Sequence, residues 1–186
     1  VLHKPYPAAD EASLVIADHN REGHPTMALP DAAAAFQRMK SAANSDGVGL
    51  IAFSGYRSVS RQRDLFADAQ RRHGPRGAAR WVAPAGYSEH QTGLAFDMGD
   101  KAKPETDDES EFESTLAFAW LRTNAAAHGF ELSFSPGNGQ NIAYEPWHWR
   151  FSGSPYAHAV FHPAWPRAAW RLALALSAAV RYQLLP

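Results

Sequence analysis

A chain without cysteine can bind a transition metal only through histidine nitrogen and carboxylate oxygen. Two short polar stretches offer such groups. SEHQTGLAFDMGD, Ser88 to Asp100, holds His90 and Asp97, and YEPWHWR farther on holds His148. Three protein ligands leave one position of a tetrahedral zinc open for water, the arrangement of a catalytic rather than a structural site. Glu145, three residues before His148, is then the natural base for that water. Pro146 between them interrupts regular strand pairing, which lets Glu145 and His148 face one side where strict alternation would forbid it. Each residue also has an ordinary reading. A lone His at the start of a strand is usually a surface or hydrogen-bonded residue, Asp97 alone is a turn former, and Glu145 alone is a surface carboxylate. Trp147 and Trp149 can be core residues only, as Trp149 mainly is. The other histidines, His3, His19, His24, His73, His128, His158 and His162, have no comparable company. His128 more simply ends a helix, where a cation suits the dipole. DDESE reads as a solvated run, not a calcium site, and GNGQN (Gly137–Asn141) as a hairpin loop.

These side chains need elements to position them. PDAAAAFQRMKSAANSDG predicts a helix, with Asp31 as N-cap, Phe36, Met39 and Ala43 at helical spacing and Gly47 in the stop. VGLIAF (Val48–Phe53) predicts a buried strand. SVSRQRDLFADAQRRHG predicts a second helix capped by Ser58, with Leu65, Phe66 and Ala69 on its apolar side. Gly74–Tyr87, rich in Gly, Pro and Ala, predicts a loop. GLAFDM predicts a strand with Leu94, Phe96 and Met98 on one face and Gly93, Ala95 and Asp97 on the other. So small a face implies that something approaches it closely. DKAKPETDDESE reads as a solvated loop. FESTLAFAWLRTNAAAHG predicts the longest central helix, with Phe112, Leu116, Ala119 and Trp120 on one side and Gly129 as its stop. FELSF, NIAYE and WHWRF predict short antiparallel strands, the last with Trp147, Trp149 and Phe151 on one face and His148 and Arg150 on the other. A C-terminal helix, Ala164 to Leu185, is expected to dock its Trp and Leu residues on the domain. The order is that of an α+β chain rather than a βαβ alternation.

The length of 186 residues points to a single domain spanning 1–186, large enough to bury a core without staples. Hydrophobic residues at 45% and charged residues at 20% belong to a folded chain rather than a disordered one. A net charge of −1 without a basic block argues against a nucleic-acid binder. The lack of cysteine excludes disulfides, thiolate ligands and a cysteine nucleophile, and is compatible with an oxidising compartment. The opening VLHKPYPAAD has neither the basic n-region nor the apolar core of a signal peptide. It also lacks Met, which leaves room for a removed upstream segment. No apolar run reaches the roughly 18 residues that a membrane span needs. The nearest, AAWRLALALSAAV, is interrupted by Arg171 and closed by Arg181.

SEHQTGLAFD followed by EPWHWR resembles the paired signature SxHxxGxAxD and ExxHW of the VanY-type D-alanyl-D-alanine carboxypeptidases. That family is part of a wider group of zinc peptidases with D-Ala-D-Ala dipeptidases, L,D-carboxypeptidases, phage endolysin endopeptidases and the hedgehog signalling domain. SGYRSVSRQ looks like the same family's SGYRSxxxQ block, and the resemblance runs from about Val48 to Gly153. It implies a hedgehog/DD-peptidase-like fold, a small antiparallel sheet packed by helices, with the C-terminal helix as an addition. It implies one zinc per chain on His90, Asp97 and His148, with Glu145 as catalytic base. It implies that Arg57 binds substrate and stabilises developing negative charge, and that Gln62 and Ser88 contact the peptide or its carboxylate. With Trp147, these form the expected substrate-binding set. The residues before Pro30 and after Pro163 fall outside the resemblance. Those after ELSF depart from the family's basic, Tyr-containing stretch, which bears on substrate preference rather than on zinc.

The chemistry of the residues agrees. Glu145 can take a proton from water and pass it to a leaving amine. Arg57 keeps its charge at any working pH and can face an oxyanion or a terminal carboxylate. Gly55 would supply the turn that lets Arg57 leave its strand. The resulting expectation is a zinc peptidase that removes the C-terminal D-alanine of peptidoglycan stem peptides, in the periplasm or at the cell surface. An L,D-carboxypeptidase and an endolysin-type endopeptidase are the neighbouring alternatives. A non-catalytic zinc module that recognises a partner or the cell wall is a rival of another class, against which Glu145 and Arg57 argue. A cytoplasmic protein with a structural metal is a further one, but structural zinc is normally closed by four protein ligands and only three are named.

Overall fold

The computed structural model describes residues 1–163, so the helix expected from Ala164 to Leu185 lies outside them. Two strands, β1 (Val15–His19) and β2 (Pro25–Ala28), form an antiparallel hairpin. Helix α1 (Pro30–Ser45) leads to β3 (Leu50–Ser54), and α2 (Val59–Trp81) leads through a loop and a 3-10 turn to β4 (Ala95–Asp100). Helix α3 (Leu116–Asn124), β5 (Phe130–Leu132), β6 (His148–Phe151) and α4 (Pro155–Phe161) complete the described chain. The main sheet has the order β3-β4-β6-β5, with every neighbouring pair antiparallel. This is the α+β architecture that the motifs imply. The expected strand NIAYE is absent among the described residues; 141–145 run irregularly, with Asn141 at φ 54°.

Strand β4 is the centre of the fold, buried at every position. Phe96 and Met98 point into a core with Phe36, Leu50, Ala52, Phe130, Trp149 and Phe151, and the Phe36 and Phe96 rings stack at 5.3 Å. Its small-residue face is filled as expected. A Cβ at Gly99 would lie 2.4 Å from Asp107 Oδ1, because the Arg21–Asp107 ion pair (2.5 Å) crosses the strand there.

The helices differ from their expected limits for local reasons. Helix α1 begins at Pro30, whose missing N–H suits the first turn. Asp31 therefore sits in the first turn and Leu29 is the N-cap. Helix α2 extends to Trp81 through a kink: Gly74 takes φ 69°, and Pro75 starts a second helical run inside the expected loop. The expected central helix is split. Thr115 accepts a hydrogen bond from the Phe118 N–H, so the α-helix starts only at Leu116, and Phe112 belongs to a separate 3-10 turn. The buried stripe is then Ala117, Phe118, Trp120 and Leu121, while Leu116 is 74% exposed and Ala119 faces solvent. Gly129 ends the following 3-10 turn in the left-handed conformation, φ 81°, as a stop should.

The β1–β2 hairpin is not evident from sequence. Its alternation is broken by Asp18, which is buried because it pairs with Lys40 (2.5 Å) and accepts the Ala52 N–H (3.0 Å). Thr26 donates to the Ala52 carbonyl on the same side. The hairpin is thereby bound to the edge of β3.

A candidate metal centre in a buried cleft

The antiparallel register sets Asp97 of β4 directly opposite His148 of β6. Opposed residues in such a pair share a face, so the two side chains meet. Their neighbours Phe96 and Trp149 face each other on the core side. His90 arrives from the 3-10 turn Glu89–Thr92. Ser88 caps that turn by accepting the His90 N–H, and Gly93, at φ 68°, ends it. The result is a triangle: His90 Nε2 lies 3.1 Å from Asp97 Oδ2, and His148 Nδ1 lies 2.9 Å from Asp97 Oδ1. One ligand atom from each of the three residues lies within 4.8 Å of the others. All three are buried.

The outer ring nitrogens are engaged by the protein, which turns the inner ones toward a metal. His90 Nδ1 is 2.7 Å from the Gly55 carbonyl, which can only accept, so the proton sits there and the Nε2 lone pair faces the triangle. His148 Nε2 is 3.1 Å from Glu89 Oε2, which likewise leaves Nδ1 to face the triangle. Two imidazoles and a carboxylate, each with its outward side engaged, are a donor set suited to zinc. Here Gly55 is not a left-handed turn. It is needed for closeness, since a Cβ would stand 2.5 Å from the Met27 carbonyl oxygen.

Electrostatics divide these groups. Burial and the neighbouring Arg57 push His90 down, against the pull of Asp97. Burial would lower His148 too, but its bonds to Asp97 and Glu89 outweigh that and hold it up at about 10. Asp97 is held well below the usual carboxylate range: burial opposes this, and the two histidines prevail. Glu145 is also buried. Burial, with the carboxylates of Asp97, Glu89 and Asp108 nearby, pushes it up to about 8 despite His148. A chain bend places it: the Glu145 N–H donates to the Phe134 carbonyl, and the Glu145 carbonyl accepts the His148 N–H.

These residues line one cleft of about 220 Å³, together with Arg57, Gln62, Ser88 and Trp147. All eight residues singled out from sequence therefore meet at one place. Arg57 reaches toward Asp97 Oδ2 (3.7 Å) and donates to Gln62 Oε1 (3.2 Å). Gln62 is fully buried and gives its amide N–H to the Ala83 carbonyl, so both ends of its amide are engaged within the protein. Trp147 is mainly a core residue that also lines the cleft.

Four participants are not evident from sequence. Glu89, hidden between Ser88 and His90, is wholly buried and bonds His148, Arg150, Ser133 and Tyr6. Tyr6 and His3 bring the N-terminal segment to the cleft wall. Asp108 lines the cleft with φ 58°, and burial together with the charge of Asp97 pushes it up to about 6. The one available signal was an acidic residue inside an otherwise buried motif.

A buried His–Asp–His triangle beside a spare carboxylate and an arginine, carried on a small antiparallel sheet, has the donor set and the open side of a catalytic metal centre. The chain belongs to the VanY family: the family model described as D-alanyl-D-alanine carboxypeptidase matches residues 27–154. YodJ of Bacillus subtilis, named as a carboxypeptidase, is 39% identical over 133 residues, covering 70% of this chain and 48% of its own length. This chain thus spans about half the length of that relative. The structure of the LdcB LD-carboxypeptidase superposes with a TM-score of 0.72 at 33% identity, over 82% of this chain and 73% of that one. A VanY D,D-pentapeptidase mutant in complex with Zn(II) superposes with a TM-score of 0.66 at 26% identity, over 87% and 92%.

Proposed function

We propose that this chain is a zinc-dependent carboxypeptidase that hydrolyses the C-terminal D-alanine of peptidoglycan stem peptides. The observation that carries the reading is the convergence of His90, Asp97 and His148 with the buried carboxylate of Glu145 and the guanidinium of Arg57 in one cleft. His90, Asp97 and His148 would hold the ion. Zinc bound there supplies a polarised water and a Lewis acid. Glu145 takes the water proton on its carboxylate and returns it to the leaving amine. Arg57, tethered by Gln62, faces the negative charge of the substrate carboxylate or of the reacting carbonyl. The Ser88 hydroxyl accepts the His90 N–H and keeps its own proton to donate toward a peptide. Trp147 supplies an apolar wall. The substrate class puts the protein outside the cytoplasmic membrane, in the periplasm or at the cell surface. No helix among the described residues is long and apolar enough to cross a membrane. The reading takes residues 1–186 as one peptidase domain.

A second reading, an L,D-carboxypeptidase acting on tetrapeptide stems, is favoured by the likeness to LdcB. Purified muropeptides with pentapeptide and tetrapeptide stems, incubated with the zinc-loaded protein and weighed by mass spectrometry, separate the two. Loss of one alanine from the pentapeptide supports the first reading, and loss from the tetrapeptide supports the second. An internal cut makes the protein an endopeptidase. Glu145→Gln should keep zinc and melting temperature and lose about 10² to 10⁴-fold in turnover. If the wild-type protein binds cell wall but cleaves no stem, the enzyme reading gives way to a binding module.

A further inference from the structure

We propose that Glu89 is the positioning residue of the metal centre: its carboxylate fixes the ring of His148 so that Nδ1 presents a lone pair to the ion. The proposal rests on the metal reading above but concerns a residue with no place in the ligand, base or substrate sets.

Glu89 is 2% exposed and adjacent to His90 in sequence, and its carboxylate meets the outer nitrogen of His148 rather than joining the triangle. Both of its oxygens are used. Oε2 lies 3.1 Å from His148 Nε2 and accepts the Ser133 hydroxyl at 2.6 Å. Oε1 accepts Arg150 Nη1 at 2.7 Å and the Tyr6 hydroxyl at 3.0 Å. A buried carboxylate is tolerated only with this kind of compensation. Arg150 is itself fixed, donating through Nε to Glu131 at 2.8 Å and lying 4.8 Å over the Phe161 ring. Phe134 stacks on a face of the His148 ring, at 4.8 Å and 26°. The ring is thus clamped from its face and from its outer edge. A carboxylate on the outer nitrogen of a metal-bound histidine fixes the tautomer and makes the inner nitrogen a stronger donor.

Glu89→Gln shows why the carboxylate is required. An amide has one oxygen where Glu89 has two. If its NH₂ takes the place of Oε1, it meets the Arg150 N–H donor head on. If it takes the place of Oε2, it faces His148 Nε2, which must then accept, and the proton moves to Nδ1 where the ion should sit. Either arrangement breaks one arm of the network. Loss of such outer partners typically weakens metal binding by about 10 to 100-fold.

The test measures zinc dissociation constants by chelator competition on folded protein, with no reference to turnover. Glu89→Gln should weaken zinc by that factor. In the zinc-loaded wild type, nitrogen-15 spectra should show a slowly exchanging His148 Nε2–H, shifted or lost in the variant. Glu89→Asp, which keeps the charge but withdraws it by one methylene, should also weaken zinc and serves if the glutamine variant fails to fold. Glu131→Gln is the control: it removes the other carboxylate of Arg150 without touching His148, and zinc affinity should stay within about twofold. Equal zinc affinity in wild type and folded Glu89 variants would overturn the proposal, as would an equal loss in Glu131→Gln. Failure of the wild type to bind zinc would instead overturn the metal reading itself.

Discussion

Zinc binding to this protein should expel close to two protons at neutral pH. The cleft gathers four carboxylates, Glu89, Asp97, Glu145 and Asp108, and Arg57 also lines it, while Arg150 reaches Glu89 from the side. In the metal-free protein two protons make up much of the difference: His148 is held up at about 10 and Glu145 is pushed up to about 8. Both groups are therefore mainly protonated at pH 7. A metal at the triangle needs the lone pair of His148 Nδ1, so that proton must leave. A dication beside Glu145 offsets the burial and the carboxylate repulsion that hold its pKa up, so the second proton leaves too. His90 is pushed down by burial, which opposes a contribution from its ring. The sign follows: affinity rises with pH, by nearly a hundredfold per pH unit well below pH 8 and by nearly tenfold between about 8 and 10, since each released proton contributes tenfold per unit. Titration calorimetry in buffers of different ionisation enthalpy counts the protons directly. About two are expected at pH 6.5 and about one and a half at pH 8. Glu145→Gln should lose one of them at pH 6.5. Zinc binding that releases no protons at pH 6.5 would refute the reasoning, because His148 could not then carry a proton that the metal displaces.

The same structure makes three further predictions. Amidating the C-terminus of a stem peptide should cut turnover by roughly 10 to 100-fold, the worth of a charge-assisted hydrogen bond at Arg57; equal rates on free and amidated peptides would leave Arg57 with the reacting carbonyl alone. Glu89 is held at about 2, because the His148 and Arg150 contacts outweigh a burial that would raise it, so its contribution is complete above about pH 4.5 and is lost as pH falls from there toward 2. That loss amounts to about 3 kcal/mol in denaturant titrations of the metal-free protein, and a flat profile between pH 5 and pH 2 would contradict it. Gly55→Ala should lower the melting temperature and weaken zinc together, since the new Cβ meets the Met27 carbonyl oxygen at 2.5 Å and displaces the carbonyl that holds His90; unchanged zinc affinity would show that the Gly55 contact is incidental.

The ligand triangle was legible in sequence because its residues stand in short blocks and antiparallel pairing does the rest. Once FDM and WHW are recognised as strands, one register puts Asp97 opposite His148. Glu89 was not legible, although it sits inside the most informative block. Its partners Tyr6, Ser133 and Arg150 come from three distant segments, and an acidic residue in a polar stretch reads as solvated until those partners are assembled. Asp18 hid the first hairpin for the same reason: a buried charge paired with Lys40 breaks the alternation that marks a strand. The helix errors arose from single residues. Thr115 as a cap rotates the buried stripe of α3 away from Leu116, and the left-handed Gly74 lets helical structure resume where Gly and Pro suggested only loop.

The separation of the SGYRS and SEH blocks along the chain has a physical reason in the way they meet. Two hydrogen bonds join them in opposite senses. The Gly55 carbonyl receives the His90 ring nitrogen at 2.7 Å, and the Arg57 N–H donates to the His90 carbonyl at 3.2 Å. The Tyr56 N–H between them donates to the Met27 carbonyl at 2.7 Å, so the clamp is fastened to β2 as well. The β3–β4 pairing carries a register shift between Ala52 and Ser54, placed where the strand must bend to deliver this segment. Arg57 and His90 are therefore positioned by each other's backbone rather than by separate scaffolds. A change that moves one moves the other, and this couples anion recognition to metal geometry within one short loop contact.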